Sequence, residues 1–356
     1  MVWHGAALCR SIVLLVLFFV SWSCATRPLP LKTSYGGVET FVVSEKTDLG
    51  IRLALLNQEG DFIRFIGHTP RPSIDRAPHV SPDGKRVVFL TNRRQTIDNL
   101  FEMWALDLET EESWPLLGSE SVKSPMWSDD SKLYFLLQVD GIFNVHKASV
   151  SEDHRSLGEP VQVSFFDVPC VSFSRDKAGR LVCGVNSEQD GSSLWFAQCD
   201  TCDWKQMTGG PRDRTPAWGP DGDLYFSRQT EFGDYDVFVR TADGKVKNAR
   251  RASLTDDFAP RLSKDGKTCF MTSVLRSKKD GKILSNVVSF FDVSQPKGPV
   301  KVLFDKTVHK ARYDVDFLSN VSHEHLFDSS PLLVDAFKTF MLEELVRRQN
   351  EKRSGQ

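Results

Sequence analysis

Five small groups of residues have the types and spacing to do chemistry. Cys199-Asp200-Thr201-Cys202 is a Cys-x-x-Cys pair, the spacing of a local disulfide, a redox dithiol or half a zinc site. His323-Glu324-His325 puts two imidazoles on one face of a strand, where a metal would need a third ligand. Asp234-Tyr235-Asp236 and Asp314-Val315-Asp316 pair carboxylates, without the oxygen-rich loop that holds calcium. Gly118-Ser119-Glu120-Ser121 lacks the closing glycine of a nucleophile elbow. No group completes a catalytic or metal centre, so the expectation is a protein that is not an enzyme and uses no metal or cofactor. Cys199 and Cys202 are expected at a hairpin tip as a disulfide, with inert thiols and redox or metal roles as the remaining options. Cys170, Cys183 and Cys269 stand singly in strand-like segments as small core residues.

What positions these groups is a soluble body. Lys and Arg number 45 against 47 Asp and Glu, a formal charge of −2, which leaves no cationic excess for a phosphate backbone; nucleic acid is not an expected partner. The apolar run Ser11–Val20 follows one charge at Arg10. At about 1.5 Å per residue it is half a membrane span, as in a signal-peptide core. The order that follows, Ser21-Trp22-Ser23-Cys24-Ala25, resembles the signal of a bacterial lipoprotein, with Ser21 where that family usually has Leu. The resemblance implies cutting before Cys24 and a lipid on its sulfur, which would hold the chain at a membrane. Simple secretion, with cutting after Ala25, is the other reading.

A repeat governs the rest. Prolines 78, 125, 169, 216 and 260 are 47, 44, 47 and 44 residues apart, each at the head of a segment such as Thr215-Pro-Ala-Trp-Gly-Pro-Asp-Gly-Asp-Leu-Tyr-Phe. A short strand after the proline, an Asp-Gly turn and a second apolar strand form a hairpin; a third and a fourth strand complete the unit. Four antiparallel strands per 45-residue period make a propeller blade. Residues 37–68 supply three further strands, and 312–317 the missing one, so a sixth blade is expected to join the chain ends; a two-plus-two split using Glu324–Phe327 is the alternative. Residues from Pro331 carry Leu333, Phe337, Phe340, Met341 and Leu345 at helical spacing behind Ser330 as cap.

The segment from Thr215 is similar to the Pro-x-Trp-Ser-Pro-Asp-Gly-Lys pattern of TolB-like propellers. That resemblance implies an all-β, six-bladed β-propeller with a C-terminal α-helix, lying in the periplasm as a non-catalytic protein that binds an envelope protein or a peptide from one. The family's N-terminal α/β domain has no counterpart here. The expected organisation is a signal peptide at 1–23, a tether at 24–37, the propeller at 38–328, an amphipathic helix at 329–350 and a tail at 351–356. Loops between second and third strands are the candidate recognition surface, through Arg93, Arg94, Phe232, Tyr235 and Arg276. The alternative function is a carbohydrate binder or oligosaccharide-lyase-like propeller with its site at the channel mouth.

Overall fold

Alternating apolar residues and Asp-Gly turns fold this chain into short antiparallel strands, and the computed structural model contains no helix among the residues it describes. Those residues are 40–57, 61–67, 72–95, 100–118, 121–187, 191–210, 212–250, 255–263, 265–276, 283–296, 298, 300–303 and 312–317. The expected signal peptide, tether, Glu324–Phe327 strand, C-terminal helix, tail and His323-Glu324-His325 lie outside them.

Four blades stand as separate four-stranded sheets with strands in chain order. The first runs through Val122–Trp127, Lys132–Val139, Ile142–Ser149 and Val161–Gln162. The second uses Cys170–Arg175, Leu181–Ser187, Gly191–Ala197 and Lys205–Gln206. The third uses Arg214–Trp218, Leu224–Gln229, Tyr235–Arg240 and Val246–Arg250, and the fourth Thr255–Leu262, Thr268–Arg276, Ile283–Asp292 and Lys301–Leu303. The expected six-bladed propeller is thereby corrected to four blades.

The other eight strands share one sheet. Ser73–Val80, Arg86–Thr91, Glu102–Asp107 and Ser113–Leu117 form one antiparallel set; Thr40–Thr47, Gly50–Asn57 and Phe62–Phe65 form the other, and Arg312–Phe317 pairs with Thr40–Thr47, placing Phe41 opposite Phe317. The sets merge because Gly50 and Ile51 pair in parallel with Ser73 and Ile74, and the Ser73 N–H donates to the Leu49 carbonyl at 3.2 Å. Gly50 makes this approach possible: its φ is +113°, and a methyl on its Cα would collide with the Ser73 carbonyl.

Four of the five repeat prolines do not precede their strands but sit inside them, while Pro169 stands just before Cys170–Arg175. Ala77, Ser124, Thr215 and Ala259, each immediately before the proline, take φ between 49° and 51°, and the pairing register shifts at each of these places. Proline has no N–H to give a ladder, so a bulge is where an inner strand can hold it. These bulges also join blades: the Thr215 N–H donates to Ser172 Oγ at 2.9 Å and the Ala259 N–H to Thr215 Oγ1 at 3.2 Å. At the far end of three of these strands a Ser caps the turn. Ser81 donates to Asp83, Ser128 to Asp130 and Ser263 to Asp265 at 2.5–2.6 Å, while Asp83 and Asp265 accept the N–H two residues on.

The apolar cores lie between sheets. Met126, Tyr134, Leu136 and Val145 of one blade bury Phe173, Leu181, Cys183 and Val185 of the next, and Tyr225, Val237 and Val239 bury Cys269, Met271 and Phe291. Phe41, Val43, Ala54 and Leu56 meet Phe270, Val288 and Phe290, so the first strands of the chain pack on its last separate blade. Replacing Gly50 with Ala forces a strained φ, worth about 1–3 kcal/mol, and pushes the two sets apart. Urea unfolding is expected to show at least that loss for Gly50→Ala, against little change for Gly118→Ala, where nothing lies within 4 Å.

Candidate functional site

The loops between second and third strands crown one end of the inner strands. Asp75, Asp213 and Asp257 lie there, each three residues before a repeat proline and fully buried. A buried carboxylate needs a partner. Arg93 supplies one, with Nε 3.1 Å from Asp75 Oδ1 and Nη2 2.6 Å from Oδ2, and it also donates to the Ser113 hydroxyl and the Gly67 carbonyl. Arg228 does the same for Asp213, at 2.6 and 2.8 Å. Asp257 has no such arginine: Thr255 and Ser273 donate to its Oδ1 at 3.1 and 2.7 Å, Oδ2 has no partner, and burial pushes its pKa up to about 7.

These pairings redistribute the loop residues proposed from sequence. Arg93 is a buried wall residue. Tyr235 is buried as well; its N–H donates to Asp256 Oδ1 at 3.1 Å and its ring lies 4.8 Å from Phe258. Their apolar and charged character reads the same in a solvated loop and in a wall, so spacing alone could not separate the two. Arg94 stays half exposed, with Nε 2.9 Å from Glu102. Phe232 is 69% exposed at the rim of a cleft of about 570 Å³ floored by Phe238, Ala249 and Arg250. Arg276 ends its strand opposite Ile283. The five residues sit on three different sheets. Cys24 lies outside the described residues.

Cys199 and Cys202 are joined as a disulfide, with Cα atoms 5.1 Å apart. The loop they close carries Asp200, which accepts from Tyr134 Oη at 2.8 Å and Lys147 Nζ at 2.6 Å on the preceding blade. Burial and this carboxylate push the Tyr134 phenol far above its usual pKa. Cys170, Cys183 and Cys269 are buried free thiols; burial and the neighbouring Cys170 raise the Cys183 thiol. Asp234 bonds Thr230, and Asp236 accepts from Asn248 at 2.9 Å. No cluster of three His, Cys, Asp or Glu exists among the described residues.

At the opposite, turn-bearing end a second cleft, about 510 Å³, draws on five sheet segments, through His79, Trp127, Arg175, Arg180, Trp218 and Leu262. Trp127 and Trp218 occupy the same place in their repeats, two residues after the proline. Their indole N–H groups are buried without a hydrogen-bond partner. Arg180 lies 4.5 Å over the Trp218 ring, and the Trp127 backbone N–H donates to His79 Nδ1 at 3.3 Å.

No protein-family model matches the chain, and no curated protein does. Solved structures do. TolB from Acinetobacter baumannii is similar with a TM-score of 0.61 at 11% identity, over 79% of this chain and 66% of that one. A protein assigned as TolB from Agrobacterium tumefaciens gives 0.54 at 17%, over 79% and 99%. A puromycin-hydrolyzing peptidase from Mycobacterium tuberculosis gives 0.51 at 16%, over 77% of this chain and 45% of the peptidase. The chain is an all-β propeller with TolB-like neighbours. The expectation that it is not an enzyme is corrected by the peptidase: a similar fold covers 45% of that puromycin-hydrolyzing protein, so the fold excludes no activity.

Two outcomes follow. Cys202→Ser opens the Asp200 loop, and closing so short a loop is worth roughly 2 kcal/mol on chain entropy; a fall of that size in denaturant unfolding, reproduced in wild type by a reductant, is expected. The raised pKa of Asp257 means that the folded state holds a proton the unfolded chain releases near pH 4. Stability contributed by that proton is complete below about pH 4 and is lost as pH climbs to about 7. Melting temperatures across this window are expected to decline more steeply for wild type than for Asp257→Asn.

Proposed function

We propose that the chain is an exported propeller whose work is to bind another protein of the cell envelope, held at the membrane by lipid on Cys24. The observation that carries the binding role is the turn-face cleft. Five sheet segments converge on it, and it is lined by the two indoles Trp127 and Trp218 together with Arg175 and Arg180, the latter 4.5 Å over the Trp218 ring. Concave surfaces with apolar walls and a few convergent polar groups are the usual form of binding sites. The neighbours described as TolB support an envelope setting, and the apolar run before Cys24 supports export. Pairing of Arg312–Phe317 with Thr40–Thr47 supports a ring closed between the two ends of the propeller.

A photo-crosslinking residue at Lys177, exposed in this cleft, is expected to capture one exported protein that the same probe at Glu109, on an outer turn, does not. Equal capture at both positions, or turnover of a sugar polymer with no protein captured, refutes the reading. Metabolic lipid labelling is expected to be lost in Cys24→Ala and blocked by globomycin; unchanged labelling removes the anchor.

A further inference from the structure

The turn-face cleft lies beside a strand that leads out of the propeller. Gly50–Asn57 pairs in parallel with Ser73–Val80, Thr40–Thr47 runs against Gly50–Asn57, and Arg312–Phe317 runs against Thr40–Thr47. Arg312–Phe317 therefore points the same way as Ser73–Val80, from the loop end to the turn end. It also contacts both Ser73–Val80 and Thr255–Leu262. Those two strands bring His79 and Leu262 to the wall of the cleft, so the chain passes Phe317 heading for its rim. Thr40–Thr47 stands one strand further out.

The sequence beyond Phe317 complements what the cleft offers. Met126, Trp127, Trp218 and Leu262 are its apolar walls; Arg175 and Lys177 also line it and form no ion pair among the described residues. After Phe317 come thirteen residues, 318–330, and then Pro331–Val346, outside the described residues, with Leu333, Phe337, Phe340, Met341 and Leu345 at helical spacing. Between 318 and 346 the acids Glu324, Asp328, Asp335, Glu343 and Glu344 stand against a single cation, Lys338. The stripe suits the indoles, and the surplus of acid suits Arg175 and Lys177. A connection of thirteen residues reaches at most about 45 Å and holds what it carries at an effective concentration on the order of millimolar. A segment that alone bound at about 100 µM would then sit in the cleft about nine times in ten.

We propose that Pro331–Val346 occupies the turn-face cleft of its own chain and must be displaced before a partner enters. The occupancy stands on strand direction, reach and complementary chemistry. Its regulatory meaning rests on the binding role proposed for the same cleft.

Benzoylphenylalanine placed at Lys177 of the full chain tests it. After irradiation with no partner present, peptide mass spectrometry is expected to find the probe joined to Pro331–Val346. A mixture of unlabelled and nitrogen-15-labelled chains is expected to give no mixed product, which assigns the link to one chain. The same probe at Glu109 is expected to give no such link. Phe337→Asp/Met341→Asp is expected to cut the yield about tenfold and to raise capture of the exported protein at Lys177 by a similar factor. Absence of the internal link in wild type, a link to residues 25–39 in its place, a mixed-isotope product, or an unchanged yield in the double variant overturns the proposal. An internal link with no exported protein captured by either chain removes the binding role and leaves the occupancy; capture without the internal link does the reverse.

Discussion

A four-stranded sheet of this length is apolar on both faces, and neither face can be left in water. Val182 and Val185, or Phe226 and Tyr225, point to opposite sides of their strands and are all buried, which is possible only when each sheet is sandwiched between two others. Sheet-on-sheet packing is therefore the constraint on which everything else rests. It explains why the cores are written across blades, as with Met126 and Phe173 or Phe41 and Phe270, and why the earliest strands must find the last separate blade.

That packing draws the inner strands together and creates a problem of polar accounting. Backbone groups at the narrow end of each sheet lose the ladder where proline interrupts it, and acids at the strand starts lose water. Both are answered locally. Bulges at Ala77, Ser124, Thr215 and Ala259 remove proline from the ladder, and side-chain oxygens of Ser172 and Thr215 accept the freed N–H groups of the next blade. Arg93, two residues past Thr91, the partner of Asp75, and Arg228, next after Ser227, the partner of Arg214, neutralise Asp75 and Asp213. At Asp257 two hydroxyls stand in for the guanidinium, and the carboxyl keeps a proton to much higher pH.

The two ends of the propeller consequently differ in chemistry although they are built from one repeat. The turn end carries residues after the proline, and there the repeat offers indoles and arginines. The loop end carries residues before it, and there Arg76, Lys123 and Arg214 each stack on an aromatic ring. Phased side chains on a rigid frame converge without any loop having to fold into a site, so binding residues come from strand positions as much as from the connections. The peptidase and TolB neighbours show that one frame serves different proteins, in keeping with function residing in such positions.

The proline period, the Asp-Gly turns and the alternation of apolar residues already determined the fold class, the strand order within each blade and the hairpin placing Cys199 beside Cys202, because these are local or periodic properties. The fate of individual loop residues was not local. Arg93 and Phe232 look alike as loop residues, yet one is buried on Asp75 and the other faces solvent, since burial depends on what the neighbouring sheet brings. The apolar stripe from Leu333 to Leu345 was visible as well, but the direction of Arg312–Phe317 beside the turn-face cleft needed the sheet pairing. The merger of two sets into one eight-stranded sheet likewise turned on the approach of Gly50 to Ser73, a distance that only tertiary packing decides.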